Sequence, residues 1–492
     1  MPLPTALYST AQVRALDAHA INDLGVPGYT LMKRAGEAAL RYLRTRWPTA
    51  HRIVIVCGGG NNGGDGYVLA RFAQAAGLTV SVLAAVPVDR LQGDARQAWE
   101  DWKASGGRVQ EFSPALLNDG EVVVDALLGT GLHSAVREDA AQVIAAINSS
   151  GRPVLAIDVP SGLDSDTGVP LGDAIRADCT VTFVALKTGL FIGDGPEYAG
   201  TVFFDDLEVP VPQTEAFQPR IERITECEIA RALPRRRRSA HKGDFGRVLV
   251  VGSGPGMPGA TRLAGEAALR VGAGLVTVAV APENVVAVAC GRPELICLPL
   301  TDESSLEQAL ERADVVAVGP GLGRTPWARM ALNVVLRSGK PLVVDADALN
   351  LMAETGERAK EDWILTPHPG EAGRLLGVRS EEIQRDRLAA LGALVERCGG
   401  IVVLKGAGTL VGAAGRTPGL CERGNPGMAS AGMGDVLTGA IAGILSQCRD
   451  SWLAARVGVL VHAMAGDAAA RYGQRGLLAG DVARELRTCV NL

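Results

Sequence analysis

The sequence predicts an α/β protein of two domains, and three observations carry that expectation. Short apolar, β-branched runs alternate with glycine-rich turns and Ala/Leu/Arg-rich helical stretches along the whole chain. That is the pattern of parallel strands buried on both faces with helices between them. The length, 492 residues, exceeds what one ordinary core organises. Glycine supplies 61 of those residues, well above the usual ~7% and without a collagen-like period, so many tight turns and close backbone approaches to ligands are expected.

Taken in order, a first series of strands is expected at residues 52–57, 79–84, 121–125 and 153–158. A second is expected at 247–251, 275–281, 314–318, 341–345 and 401–405. Between them, residues 207–223 contain EVPVPQTEAFQP, whose prolines and lack of helical period mark a linker or edge segment. The boundary falls near residue 224, giving domains 1–223 and 224–492, and no sequence repeat relates the halves. The arginine run at 235–238 reads as a solvated surface turn.

Composition narrows the function. Net charge is −5 and aromatics are 4%, so neither a basic field nor a base-stacking platform points to nucleic acid. No stretch has ~18 apolar residues free of charge, so no membrane partner is expected. The nine cysteines are scattered without a C-x-x-C pair, which reads as reduced thiols in a cytoplasmic protein. The first residues lack the basic start and apolar run of a signal peptide. The six histidines show no metal-ligand spacing, against a zinc site.

In the first half, the strand at 52–57 runs into Gly58-Gly59-Gly60-Asn61-Asn62-Gly63-Gly64-Asp65-Gly66, with a helix expected from Tyr67. Gly58, Gly60 and Gly63 satisfy G-x-G-x-x-G, a Rossmann-like loop whose free N–H groups can hold phosphate. The next strand ends in Ala-Ala-Val-Pro without the acid that a dinucleotide ribose requires. Two further strand ends carry acids: Asp125 opens DALLGTGL and Asp158 opens DVPSGLDSDTG. Each isolated Asp could simply cap a helix, but three such loops on the ligand side of one sheet favour a pocket. Asn62, Asp125 and Ser161 offer hard oxygens suited to an alkali or alkaline-earth cation.

In order, NNGGDG, DALLGTGL and AIDVPSGLDSDTG resemble the NAD(P)H-hydrate epimerase domain, over roughly residues 9–211. The resemblance implies interconversion of the R and S forms of NAD(P)H hydrated at the nicotinamide ring. It implies a hydrate site at Asn61, Asn62, Gly63, Gly64, Asp65, Gly129, Thr130, Gly131, Leu132, His133, Ser134, Ala135 and Asp158, with Asp158 as the catalytic acid–base. It implies potassium held by Asn62, Asp125 and Ser161. For Lys187, in ALKTG, two readings stand: it faces the same site, or it is a snorkelling surface lysine.

In the second half, strand ends carry GSGPGMPGA, GPGLG, DADALN, TPHPGE and KGAGT. Pro255 and Pro258 remove N–H donors from the first loop, so it reads as a close approach to ligand and not as a pyrophosphate cradle. NPGMASAGMGD precedes an apolar helix expected at 437–445. Backbone donors at that helix start can hold a phosphoryl group, and Asp435 is placed either to take a proton from an attacking hydroxyl or to cap the helix. Gly-x-Gly-Asp before a helix resembles the ribokinase superfamily. The whole set, with HKGDFG, resembles its ADP-dependent NAD(P)H-hydrate dehydratase branch, from about residue 226 onward.

That resemblance implies a C-terminal ribokinase-like domain beside an N-terminal Rossmann-like α/β/α sandwich. It implies dehydration of the S hydrate at the expense of ADP, accompanied by magnesium, giving AMP and phosphate. The hydrate is expected near Ala260, Gly321, Gly323, His368 and the catalytic Asp435. The nucleotide is expected on Lys405, Gly406, Ala407, Gly408, Thr409, Asn425, Gly427, Ser430, Gly432, Met433 and Gly434. Met257-Pro258 stands where family loops often carry an aromatic. The expected partners are therefore NADHX, NADPHX and ADP, in a homo-oligomer. Two competing readings are a small-molecule kinase fused to a nucleotide-binding domain, and a non-enzymatic nucleotide-binding regulator.

Overall fold

A computed structural model describes residues 3–132 and 134–491; the expected site residue His133 lies outside the described residues. The chain divides into two units, Met1–Ile221 and Glu222–Leu492.

In the first unit seven parallel strands lie side by side in the order Val109–Glu111, Thr79–Ala84, Arg52–Cys57, Val122–Ala126, Val154–Ile157, Cys179–Phe183 and Thr201–Asp205. Alternation within Arg52–Cys57 builds both sides of the sheet. Ile53, Ile55 and Cys57 pack under the helices Thr10–Asn22, Gly28–Arg46, Asn61–Ala75 and Gly93–Ala104, while Val54 and Val56 pack under Glu138–Ser149. The strand order reverses between Arg52–Cys57 and Val122–Ala126. Loops leaving neighbouring strands there diverge to opposite faces and open a crevice.

The glycine loop differs from expectation. Its helix starts at Asn61, not Tyr67, so Gly63, Gly64 and Gly66 lie in its first turns. Glycine costs about 1 kcal/mol against alanine in a helix, and packing overrides that preference here. A Cβ at Gly63 would strike the Gly58 carbonyl, at Gly64 the Met32 thioether, and at Gly66 the Cys57 sulfur and the Ala126 methyl. The strands Val109–Glu111, Cys179–Phe183 and Thr201–Asp205 join the sheet in addition to those expected.

In the second unit the parallel strands run in the order Ile401–Leu404, Ile364–Leu365, Leu342–Val344, Val315–Val318, Arg247–Val251, Leu275–Val280 and Ile296–Pro299. This sheet is not purely parallel. Ile401–Leu404 turns back through residues 405–408 into antiparallel Thr409–Ala413, which pairs in turn with Gly419–Cys421. The reversal is short because Gly406 (φ +137°) and Gly408 (φ +64°) adopt positive-φ backbone without the steric cost that a side chain would add. Beyond it, Glu222 and Arg223 pair in parallel with Gly419 and Leu420, so the proline-rich segment ends in a strand of this sheet.

Helices Gly259–Arg270, Met433–Cys448, Ser451–Ala469 and Ala479–Cys489 share the core over one face. Gly439 and Gly443 let Met433–Cys448 sit against the backbone of Ala264 and Ala268. Residues 451–472 are long and apolar enough to cross a membrane by length and composition, but 67% of that window is buried inside the protein. Arg456 on this helix forms a buried two-pronged ion pair with Glu228, at 2.7 and 2.8 Å. The stretch is therefore built as a core helix. The arginine run at 235–238 is exposed, with Arg236 lying over the Phe245 ring.

Candidate active sites

At the switch point of the first unit the loops leaving Arg52–Cys57 and Val122–Ala126 touch. A Cβ at Gly58 would strike the Leu127 carbonyl, so only glycine fits. Beside this contact lies a cavity of about 570 Å³, walled by Asn61, Asn62, Asp65, residues 129–132, Asp158 and Lys187, and by Asp17 from the helix Thr10–Asn22. The Arg14 guanidinium donates to the Thr130 carbonyl at 3.0 Å, tying the 129–132 loop to that helix. Of the expected residues, Gly63 and Gly64 are spent on packing, and Ser134 and Ala135 are exposed away from the cavity wall.

Asp158 sits in a left-handed conformation (φ +67°) at the end of Val154–Ile157, and Val159 N–H closes a three-residue turn onto the Ile157 carbonyl at 2.9 Å. A second such turn centres on Val184 (φ +64°) with Ala185 N–H on the Phe183 carbonyl. Backbone of this kind costs of order 1–3 kcal/mol per residue and clusters at functional sites. The two turns aim Asp158 at Lys187. One carboxylate oxygen accepts from the Lys187 ammonium, from Thr182 Oγ1 at 3.2 Å and from Phe183 N–H at 3.3 Å. Lys187 is 1% exposed and also donates to the Phe183 carbonyl at 2.7 Å. The surface-lysine reading is thus corrected: an ammonium this deep requires a carboxylate partner, and Asp158 is that partner.

Sequence reasoning missed Asp17, a lone acid in an amphipathic helix with no local motif. Burial pushes its carboxyl up to about 6, with Lys187 pulling it down and Asp158 pushing it up. Asp65 is pushed well above the carboxylate range by burial and by the charges of Asp158 and Asp17.

Asp125 and Ser161 meet as expected. The Asp125 carboxylate accepts from Ser161 Oγ at 2.6 Å and from Ser161 N–H at 2.8 Å, and burial lifts it to about 6. The Asn62 amide is buried, and among the described residues neither its oxygen nor its nitrogen has a hydrogen-bond partner. A Cβ at Gly129 would stand 3.2 Å from Asn62 Cβ.

In the second unit the strand-end motifs converge on one cluster. Lys405 Nζ lies 2.7 Å from Asp345 Oδ1 and 3.7 Å from Glu371 Oε2. The other Asp345 oxygen accepts from Thr438 Oγ1 at 2.8 Å. Gly432, left-handed at φ +86°, admits the chain to the helix Met433–Cys448; a Cβ there would lie 2.7 Å from the Leu263 methyl. A Cβ at Gly434 would lie 3.3 Å from Lys405 Nζ. The lysine ammonium thus stands beside the first turn of that helix, whose leading N–H groups have no intrahelical acceptor. In that turn burial and the negative charges of Asp345 and Asp347 raise Asp435 to about 7, against a lowering by Lys405.

The hydrate contacts expected from sequence adjoin this cluster. A Cβ at Gly321 would meet Ala260 Cβ at 3.0 Å and Met257 Cβ at 3.3 Å, and Gly323 N–H donates to Asp347 at 2.8 Å. His368 caps the helix Pro369–Leu376, with its ring 3.4 Å from Glu371. Among the nucleotide residues, the backbone at Lys405 and Gly408 is fixed by the Arg387 guanidinium, and Thr409 Oγ1 donates to the Gly406 carbonyl. The Asn425 side chain is spent on the protein itself, accepting from Gly427 N–H and donating to Asp467 on the helix Ser451–Ala469, and Ser430 donates to the Leu477 carbonyl. Asp345, Asp347 and Glu371 were legible only as motif letters in DADALN and TPHPGE.

Together these features describe an enzyme of two α/β units, one with the Asp158–Lys187 ion pair beside a cavity at a doubly wound switch point, the other with Asp435 in the first turn of a helix that starts beside Lys405. A family model described as NAD(P)H-hydrate dehydratase matches residues 248–488, and one described as YjeF-related protein N-terminus matches residues 28–189. The bifunctional NAD(P)H-hydrate repair enzyme Nnr of Coxiella burnetii is 48% identical over 99% of this chain and 100% of that protein. Its namesake from Escherichia coli is 44% identical over 99% and 95%. The crystal structure of a ribokinase-like superfamily protein from Enterococcus faecalis matches 55% of this chain and 95% of its own, with a TM-score of 0.51 at 29% identity. The chain belongs to the bifunctional NAD(P)H-hydrate repair enzymes, with an epimerase domain at the N-terminus and a dehydratase domain at the C-terminus.

Proposed function

We propose that residues 1–223 interconvert R and S hydrates of NADH and NADPH with Asp158 as acid–base residue, and that residues 224–492 dehydrate the S form with ADP, yielding AMP and phosphate. The division into two units at Ile221 and Glu222 supports that boundary.

For the epimerase the supporting observation is Asp158 held by Lys187 in the wall of the switch-point cavity. The hydrated carbon beside the ring nitrogen is a hemiaminal. Its hydroxyl leaves as water once protonated, with the nitrogen lone pair forming a planar iminium, and water re-adds. The Asp158 carboxyl gives a proton to an oxygen departing from its own face of the ring, or takes one from a water that adds on that face.

The chemistry of Asn62, Asp125 and Ser161 fits a potassium ion. The orphaned Asn62 amide oxygen, the Ser161 hydroxyl and one buried carboxylate make an oxygen set of single negative charge, too weak for a tight divalent cage. The ion would supply positive charge beside the raised Asp125 carboxyl and fix the Asn62 amide under the 129–132 loop.

For the dehydratase the supporting observation is Asp435, raised to about 7, in the first turn of the helix Met433–Cys448 beside Lys405. Asp435 takes the proton of the hydrate hydroxyl as its oxygen attacks the terminal phosphorus of ADP and AMP leaves. The resulting phosphate ester departs with its C–O electron pair. Loss of the neighbouring ring proton then restores the double bond, so water is divided between AMP and phosphate. Lys405 and the helix-start N–H groups hold the charge that spreads over the phosphoryl oxygens. Magnesium enters with the diphosphate, whose oxygens are hard ligands.

The test is incubation of mixed epimers with the full chain and either ADP or ATP, following NAD(P)H absorbance. With ADP and potassium the whole hydrate pool should be recovered in one phase. With Asn62→Ala, or with sodium in place of potassium, recovery should split into a fast S phase and a slow R phase. Recovery with ATP alone would refute the ADP assignment, and single-phase recovery in sodium would refute the potassium site.

A further inference from the structure

The helix Thr10–Asn22 lays Val13, Arg14, Asp17 and Ile21 along the epimerase cavity, while Asp158 and Lys187 enter that cavity from the sheet. Two carboxyl groups therefore reach the same space from different elements. They are held differently. Asp158 is pinned by Lys187, Thr182 and Phe183 N–H. Among the described residues Asp17 has no ion-pair or hydrogen-bond partner for its carboxylate, yet it is near enough to Asp158 and Lys187 to feel both charges.

The reaction asks for two such groups. The C–O bond breaks as the hydroxyl oxygen takes a proton and leaves as water, and the nitrogen lone pair becomes the C=N bond of the iminium. For inversion, a water on the opposite face must lose a proton as its oxygen bonds to the same carbon and the electron pair returns to nitrogen. One carboxyl ends ionised and the other protonated, so protons balance and the next turnover runs in reverse. A carboxyl serving one face alone returns the hydroxyl to the face it left.

We infer that Asp17 is the second catalytic acid–base residue of the epimerase, serving the ring face opposite Asp158, an inference that rests on the role proposed above for Asp158. Of the two other acids along the cavity, Asp65 and Asp94, the first suits the part less well. Asp65 sits in the first turns of its helix, where burial and the charges of Asp158 and Asp17 oppose its ionised form. Asp17, lifted to about 6, exchanges between its two forms near neutral pH. Among the described residues, Lys187, Arg14 and Asp94 are the other charged groups along the cavity.

The experiment uses the full chain without nucleotide, so that the dehydratase is idle, and purified R and S hydrates of NADH in oxygen-18 water. Exchange of the hydroxyl oxygen and inversion are scored separately, above the enzyme-free rate. The wild type should exchange and interconvert both epimers. Asp17→Asn should leave one epimer exchanging with retention, slow the other about a hundredfold or more, and lose interconversion. Asp158→Asn should show the opposite epimer preference. Asp17→Glu should recover interconversion, and Asp17→Ser should repeat the split if the amide disturbs packing. A purely structural role would slow both epimers equally. That result, or unchanged exchange and inversion in both Asp17→Asn and Asp17→Ser, overturns the assignment. Unchanged interconversion in Asp158→Asn would instead overturn the Asp158 reading on which it rests.

Discussion

Replacing Asp435 by Asn isolates the proton transfer proposed for it in the dehydratase. The carboxyl is raised to about 7 by burial and by Asp345 and Asp347. The base acts only when ionised, so activity is lost as pH falls through about 7. About half the sites are competent at pH 7 and roughly a tenth at pH 6, and the wild-type rate should fall about tenfold per pH unit below that limb. Asparagine keeps the side-chain shape but takes no proton, so the loss should be ~10²–10⁴-fold, or about 3–5 kcal/mol of barrier. The pH limb should vanish with it. Because the substitution removes one of several acids crowded beside Asp345 and Asp347, melting of the second unit should not fall. The assay is the initial rate of NAD(P)H recovery from S hydrate at saturating ADP across the neutral range, with epimerisation and ADP affinity measured on the same preparation. A folded variant with a near-wild-type rate and an intact acid limb would show that Asp435 only caps its helix.

Two further outcomes follow from the second unit. Gly432→Ala forces a Cβ into a left-handed residue 2.7 Å from the Leu263 methyl. Besides the ~1–2 kcal/mol of backbone strain, it should shift the start of the Met433–Cys448 helix, raising the KM for ADP while epimerisation is unchanged. Lys405→Met leaves Asp345 and Glu371 without their buried cation. It should destabilise the second unit by about 3–5 kcal/mol, read as a lower Tm, and push Asp435 higher, moving the acid limb of dehydration to higher pH in whatever activity survives.

Strand positions, the glycine loops and the acids that follow strands were legible along the chain because β-branched runs, turns and caps are local signals. Asp125, Ser161, Asp158 and Asp435 could be named on that basis, and their motifs pointed to the family. Packing decided the rest. The helix at Asn61 begins earlier than its glycines suggest because three close approaches need bare Cα atoms. The antiparallel return at Thr409 depends on pairing with Ile401–Leu404, which no single segment reports. Lys187 reads equally as surface or site until the fold buries it against Asp158, 29 residues earlier. Lys405 and Asp345, 60 residues apart, meet only once the sheet is assembled. Asp17 has no motif and gains its significance from the cavity its helix borders. The sequence by itself determined which chemical groups stand at strand ends. Tertiary structure decided which of them share one low-dielectric space, because proton affinity and charge pairing depend on distance and burial and not on order in the chain.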